Sequence, residues 1–368
     1  MQGIENLGST CAINSLIQVI TRNDILRNII LNNTFASATA ATAATAATAA
    51  TDTISGQLNE IIELMYVKNN SIVPRKFIHV FYSIFKDIFY HGEQIDIGEL
   101  WTFLSDKIAE EIEASPKDTD IGSSDLSDCL TDGVIYKDDA EFHNAMIKCK
   151  LLKKKYEYYY HKFNTKTSIW QRSTQGFFLN TTRCVHCQTT FYNFEPFTSL
   201  NLDIPANTTS PPSISQPSIS PPSISLMIAN SLKEEVIHGD WFCSTCRKNT
   251  AYKKSTKLWK LPDVLVILVK RFMNTHAKND APIKINDYLN FNKGSILSNK
   301  KDVVYTFSSV ALHFGSLNGG HYAAICNTPD GDILYDDRNV QKIDGDRSNF
   351  KDKSETAYMV VYTIKKDD

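Results

Sequence analysis

No stretch of the 368 residues is apolar for the roughly 20 positions that a membrane-spanning helix needs, and no basic run leading into an apolar one opens the chain. Neither a membrane span nor secretion is therefore expected, which leaves the cytoplasm or nucleus. An excess of either charge is missing too. Lys and Arg number 39 against 41 Asp and Glu, a net charge of -2, so there is no electrostatic case for nucleic acid. In a reducing compartment the eight cysteines read as metal ligands, nucleophiles or buried thiols rather than disulfides. What is plentiful is apolar material, 42% of residues, enough for a large core.

Two stretches lack the large side chains that would offset the entropy of ordering them. Residues 36–51 are an Ala/Thr repeat, and residues 207–225 carry Pro-Pro-Ser-Ile-Ser and variants, whose prolines cannot serve a sheet. Both read as exposed inserts in a single domain of residues 1–368. Elsewhere the periodicity changes along the chain. Ile54–Met65, Arg75–Phe89 and Glu99–Ile112 have apolar residues at helical spacing, whereas Leu261–Phe272, Val303–His313, His321–Asn327 and Ala357–Ile364 are rich in β-branched and aromatic residues. Helices followed by antiparallel strands predict an α+β fold, with a site where the two halves meet.

The run from Gly3 to Cys11 is loop-like, and from Ala12 to Ile20 an apolar stripe marks a helix. Cys11 therefore stands at a helix start, where unpaired N–H groups and the helix dipole favour thiolate over thiol. Asn6, on a glycine-containing turn, is placed to offer its amide to an oxyanion beside the Cys11 N–H. A buried structural cysteine ahead of an ordinary helix would look the same.

Near the other end, Gly319-Gly320-His321-Tyr322 leads into an apolar strand, a Thr328-Pro329-Asp330-Gly331 turn and then Asp336-Asp337. The Asp-Gly turn predicts a hairpin that returns the aspartates alongside His321, where a carboxylate can hold the imidazole in the tautomer that accepts a thiol proton. The register is open, so either aspartate qualifies. Gly319 and Gly320 would let another backbone lie close to this site, and His313 reads as structural.

Cys184, Cys187, Cys243 and Cys246 form two Cys-x-x-Cys knuckles, each able to bite one tetrahedral zinc. A site of four thiolates is closed to substrate, so the zinc is expected to be structural, with His186 a bystander.

These pieces, in this order, resemble the ubiquitin-specific protease family. Its cysteine box is similar to Gly3–Gln18, with Asn6, Gly8, Thr10, Cys11, Asn14, Ser15 and Gln18 at matching positions. Gln94-Ile95-Asp96 with Glu99 resembles its second motif, and the knuckles fall where its zinc-bearing fingers would be. Leu261-Pro262 through Lys270-Arg271-Phe272, Gly320-His321-Tyr322, Tyr335-Asp336-Asp337 and Ala357-Tyr358 complete the likeness. The resemblance implies a papain-like fold with a helical thumb, an antiparallel palm and fingers spanning residues 184–246.

It further implies Cys11 as nucleophile, His321 as base, Asp336 as its orienter with Asp337 assisting, and Asn6 as oxyanion donor. Gln94, Asp96, Glu99, Gly319, Gly320 and Tyr322 would meet the tail of ubiquitin, Asp96 by pairing with an arginine. The expected partner is ubiquitin or a ubiquitinated protein, acted on by a monomer with no adaptor domain ahead of the cysteine box. Ser9, Ala12-Ile13 and Ile95 depart from the family pattern, which admits a ubiquitin-like modifier as substrate or a ubiquitin-binding module of weak activity. Lys153–Arg172, with Tyr156, Tyr158, Tyr159, Tyr160 and Trp170 among its lysines, would suit single-stranded nucleic acid by stacking, or an amphipathic element of the palm or fingers.

Overall fold

β-Branched strands buried on both faces organise the second half of the chain, and the helices of the first half cover one of those faces. A computed structural model describes residues 2–32, 52–67, 71–112, 139–163, 168–205, 220–272, 277–292, 302–316, 319–343 and 348–365. The Ala/Thr segment 36–51 lies outside the described residues.

The helices are α1 (Cys11–Arg22), α2 (Asp24–Asn32), α3 (Ile54–Val67), α4 (Arg75–Ile84), α5 (Ile97–Glu111), α6 (Asp139–Phe163), α7 (Ile169–Thr174), α8 (Ile224–Ser231) and α9 (Ser348–Lys351). The strands run from β1 (Gly176–Cys184), β2 (Thr190–Phe197) and β3 (Leu200–Asp203) to β4 (Glu235–Cys243), β5 (Lys248–Lys260) and β6 (Val264–Lys270). They continue with β7 (Tyr288–Phe291), β8 (Val303–Ser316), β9 (Gly319–Thr328), β10 (Gly331–Asp336), β11 (Asn339–Lys342) and β12 (Ala357–Ile364).

The palm is an eight-stranded sheet in the order β11-β10-β9-β8-β12-β6-β3, with β7 beside β8. Its pairings are antiparallel except β3 with β6. Alternation along β6 shows why the sequence reads as an unbroken apolar run. Val264 and Val266 join the core shared with the thumb helices, while Leu265, Ile267 and Val269 join a second core on the other face. α1 is buried from Cys11 to Thr21, so its polar residues need internal partners. Gln18 Nε2 accordingly donates to the Gln2 carbonyl at 2.9 Å.

Behind the palm, Arg271 is fully buried and ties three segments together. Its guanidinium donates to the carbonyls of Ala357 at 2.7 Å, Asn279 at 2.8 Å, Ala281 at 3.0 Å and Ser354 at 2.9 Å. Burial lowers its pKa to about 10.

The fingers are a four-stranded sheet, β2-β1-β5-β4. α6 closes their base by burying Leu152, Tyr156 and Tyr160 against Phe177, Leu179, Phe194 and Trp259. Tyr156, Tyr160 and the fully buried Trp170 are thus core residues, which removes most of the rings that a nucleic-acid reading of Lys153–Arg172 requires.

The Pro/Ser/Ile segment is not loop throughout. Its last copy enters the fold: Ser223 caps α8, Ile224 is fully buried, and Pro222 and Ile224 exchange backbone hydrogen bonds of 2.9 Å with Lys284. That copy is followed by Leu226-Met227-Ile228, which supplies the helix and apolar face that the earlier copies lack. Residues 206–219 lie outside the described residues.

Candidate active site

The turn ahead of α1 is built by Asn6. Its Oδ1 accepts from the N–H of Gly8 at 2.9 Å and of Thr10 at 3.2 Å, closing a loop in which Gly8 has φ 103° and Ser9 φ 52°. Ser9 Oγ in turn donates to the Gly92 carbonyl at 3.1 Å, anchoring the loop to the turn ahead of α5. Cys11, the first residue of α1, follows at once and is 3% exposed.

α1 lies against β9, and the N–H of Tyr322, the residue after His321, points at the Cys11 sulfur. Segments from opposite ends of the chain thus lie side by side. The thiol itself departs from expectation. Burial, reinforced by the nearby Asp337 carboxylate, pushes its pKa above the ordinary cysteine range, against the pull of the Tyr322 and Ala12 N–H groups. Desolvation outweighs the helix start, a balance that the one-dimensional pattern did not contain. The resting group is a thiol.

The β9–β10 hairpin turns at Gly331 and pairs Tyr335 with Ala324. This register brings Asp336 level with Ala323, on the face that His321 shares, and its Oδ1 lies 2.6 Å from His321 Nε2. Asp337 takes a different task. Its φ of 50° turns the carboxylate toward the amino-terminal segment, where Oδ2 accepts from Asn6 Nδ2 at 2.9 Å and Oδ1 from Asn14 Nδ2 at 2.8 Å. Its carbonyl accepts from the Ile4 N–H at 2.9 Å. Asn14 is therefore part of the cluster; α1 also carries Ser15, Gln18 and Thr21, so what set Asn14 apart in the sequence was only its match to the cysteine box.

Of the residues expected to meet a substrate tail, Asp96, Gly320 and Tyr322 gather around Tyr358 and His313. Gln94, Glu99 and Gly319 are exposed. Asp96 already has partners for both oxygens: Oδ1 caps α5 through the N–H groups of Gly98 and Glu99, and Oδ2 accepts from the Tyr358 hydroxyl at 2.5 Å. Tyr322 is 3% exposed, its ring 4.7 Å from that of His313. At Gly320 a Cβ would lie 2.2 Å from His313 Nε2 and 2.6 Å from the Phe314 carbonyl, so the glycine is demanded by internal packing. His313 is itself 4% exposed, and burial lowers its pKa to about 4. It is a neutral floor under the β8–β9 hairpin.

At the far end of the fingers, Cys184, Cys187, Cys243 and Cys246 converge so that all four sulfurs lie within 4.8 Å of one another. Cys184–Cys246 is 3.9 Å and Cys187–Cys243 3.6 Å. In a tetrahedral ZnS4 centre with Zn–S of about 2.3 Å, the sulfurs stand about 3.8 Å apart. The donors therefore fit that ion. The Thr189 hydroxyl, 3.3 Å from the Cys187 sulfur, helps to pull that thiol down, while burial and the neighbouring sulfurs push Cys246 up, so the four thiols do not ionise alike. His186 is exposed and outside the cluster.

Residues 2–362 match the family described as ubiquitin carboxyl-terminal hydrolase. The chain belongs to that family. Ubiquitin carboxyl-terminal hydrolase 4 of Arabidopsis thaliana is 24% identical over 377 residues, covering 98% of this chain and 92% of the relative. Ubiquitin carboxyl-terminal hydrolase 4 of Saccharomyces cerevisiae is 25% identical over 349 residues, and the match covers 88% of this chain but only 35% of that relative. The chain thus spans about a third of the yeast relative's length. Among solved structures, the SAGA Ubp8/Sgf11/Sus1/Sgf73 DUB module bound to ubiquitin aldehyde superposes with a TM-score of 0.64 at 20% identity, covering 100% of this chain and 70% of that one. The likeness establishes the α+β thumb, palm and fingers fold of the hydrolase family.

Proposed function

We propose that the chain is a cysteine deubiquitinase that cleaves the isopeptide or peptide bond after the carboxyl-terminal glycine of ubiquitin. The observation that carries this is the His321–Asp336 contact of 2.6 Å at the head of β9, where the next residue, Tyr322, turns its N–H toward the Cys11 sulfur. The family and the relatives' names support the same reading.

In this mechanism Asp336 occupies His321 Nε2 and leaves Nδ1 to accept the Cys11 proton. The sulfur attacks the glycine carbonyl, the imidazolium returns the proton to the leaving amine, and water hydrolyses the thioester. Asn6, held by Asp337, donates to the oxyanion. Because burial favours the thiol at rest, His321 has to take its proton for the sulfur to attack. A zinc ion on the four cysteines would fix the fingertips and take no part in the chemistry. Asp96 retains a lone pair for a substrate arginine beside its cap and its tyrosine.

The chain acts in this reading as a monomer of the cytoplasm or nucleus. Hydrolysis of a fluorogenic ubiquitin substrate by the wild type, with none by Cys11→Ser, is the expected result. Labelling by a ubiquitin-like modifier probe but not by a ubiquitin probe would redirect the substrate, and labelling by neither would leave only a binding module.

A further inference from the structure

The outer face of α6 has no task in the reaction. Its inner stripe, Cys149, Leu152, Tyr156 and Tyr160, is buried at the base of the fingers. A second apolar stripe points away from that core: Ile147 is 43% exposed, Leu151 62% and Tyr158 63%. These positions are four and then seven residues apart, so they follow one side of the helix for about 16 Å at 1.5 Å per residue. A solvated helix face has no need of such a stripe, and its Ile147 and Leu151, with Leu152 and with Tyr192 of β2, line a groove of about 210 Å3.

Cations rim the groove. Lys148 and Lys155 line it, and Lys150 and Lys154 stand on the same helix, all exposed. Among the described residues Lys150, Lys154 and Lys155 make no ion pair. Lys148 sits 5.7 Å from the centre of the Tyr192 ring.

We infer that this groove docks an acidic amphipathic helix of a partner protein, about three turns long, with aliphatic residues at i, i+4 and i+7 between carboxylates. Aliphatic anchors would fill the space between Ile147, Leu151 and Tyr192, while carboxylates meet the lysine rim. Nucleic acid is the poorer fit, because Tyr192 is the one ring among the residues lining the groove, and Tyr156 and Tyr160 are internal. The inference is independent of the catalytic reading, since none of these residues belongs to the reaction site.

The probe is a fluorescein-labelled peptide of fourteen residues with leucines at i, i+4, i+7 and i+11 among glutamates, titrated into the full chain beside a scrambled peptide of equal composition. The expected result is saturable anisotropy that weakens at least tenfold in Leu151→Asp and in Lys148→Glu/Lys155→Glu, and weakens with salt. Both variants should keep wild-type turnover of the fluorogenic ubiquitin substrate, which separates this test from that of the activity. Equal binding of the scrambled peptide, or insensitivity to both variants, would overturn the inference. So would an oligonucleotide outcompeting the peptide, or self-association abolished by Leu151→Asp. Residues 113–138 carry seven Asp and Glu against two Lys. Binding that appears only after their deletion would assign the groove to the chain's own acidic segment instead of a partner.

Discussion

Asp337 Oδ2 accepts a hydrogen bond of 2.9 Å from Asn6 Nδ2, so the second of two neighbouring aspartates addresses the expected oxyanion donor while the first addresses His321. Two adjacent carboxylates can serve opposite sides of one site because the positive φ of Asp337 redirects its side chain. One half of the pair fixes the base. The other fixes the amide that would meet developing negative charge.

Loss of either aspartate should therefore damage turnover by different routes. Asp336→Asn is expected to alter the pH profile of kcat, since it changes the partner of His321 Nε2. Asp337→Ala should lower kcat by about 10²-fold, the scale of one oxyanion donor, with KM little changed. Combining Asp337→Ala with Asn6→Ala should cost hardly more than Asn6→Ala alone; a double-mutant cycle of steady-state kinetics would expose full additivity, which this arrangement forbids.

The raised pKa of Cys11 makes a prediction about the chain without substrate. A thiol pushed above the ordinary range is mostly protonated at neutral pH. Iodoacetamide alkylation should then speed up about tenfold per pH unit from roughly pH 6 to 8, in step with the thiolate fraction. A rate already on a plateau near pH 6 would mean a thiolate–imidazolium pair in the resting chain and would contradict the burial argument.

Cys11, His321 and the four knuckle cysteines were legible because each sits in a local pattern whose chemistry is short-range: a loop before a helix, a glycine-flanked histidine, a fixed bite. The division of labour between Asp336 and Asp337 was not legible, because a one-residue change of hairpin register exchanges faces and nothing in the sequence fixes φ at Asp337. Asp96 was assigned to substrate, and a residue ahead of a helix equally reads as its cap, which is where the structure puts Oδ1. The burial of Cys11 follows from the packing of α1 against β9, a strand more than 300 positions away, so no window around the cysteine contains it.

The four-sulfur centre predicts one zinc per chain by atomic absorption. Cys243→Ser, or a strong chelator, should lower the Tm of the fingers, because the ion joins the ends of β1 and β4 and its binding free energy is folding free energy. Since Cys11 and His321 lie in the thumb and palm, alkylation of Cys11 should survive metal loss even where ubiquitin turnover falls.

At Gly320 the prediction is steric. A methyl group there would stand 2.2 Å from His313 Nε2 and 2.6 Å from a backbone oxygen, closer than real Cβ contacts. Gly320→Ala should displace the start of β9 and with it His321, reducing turnover by orders of magnitude while circular dichroism stays near wild type. His313→Ala in the same chain removes the side-chain obstacle but not the Phe314 carbonyl, so partial rescue is the expected outcome.

Arg271 offers the sharpest stability test. Its fully buried guanidinium meets four backbone carbonyls, and no shorter or neutral side chain reaches all of them. Arg271→Met keeps apolar volume but takes the guanidinium donors from those carbonyls, of which Ser354's keeps the Ile283 N–H at 3.0 Å, at a cost of about 3 kcal/mol or more. Arg271→Lys keeps the charge with three donors in place of the planar fork, so it should fall between wild type and Arg271→Met. Urea melts of the three proteins give the ordering directly. If Arg271→Met matched the wild type, the carbonyls would have other partners and the guanidinium would be a passenger in the palm rather than the tie between β6, the segment at Asn279–Ala281 and the start of β12.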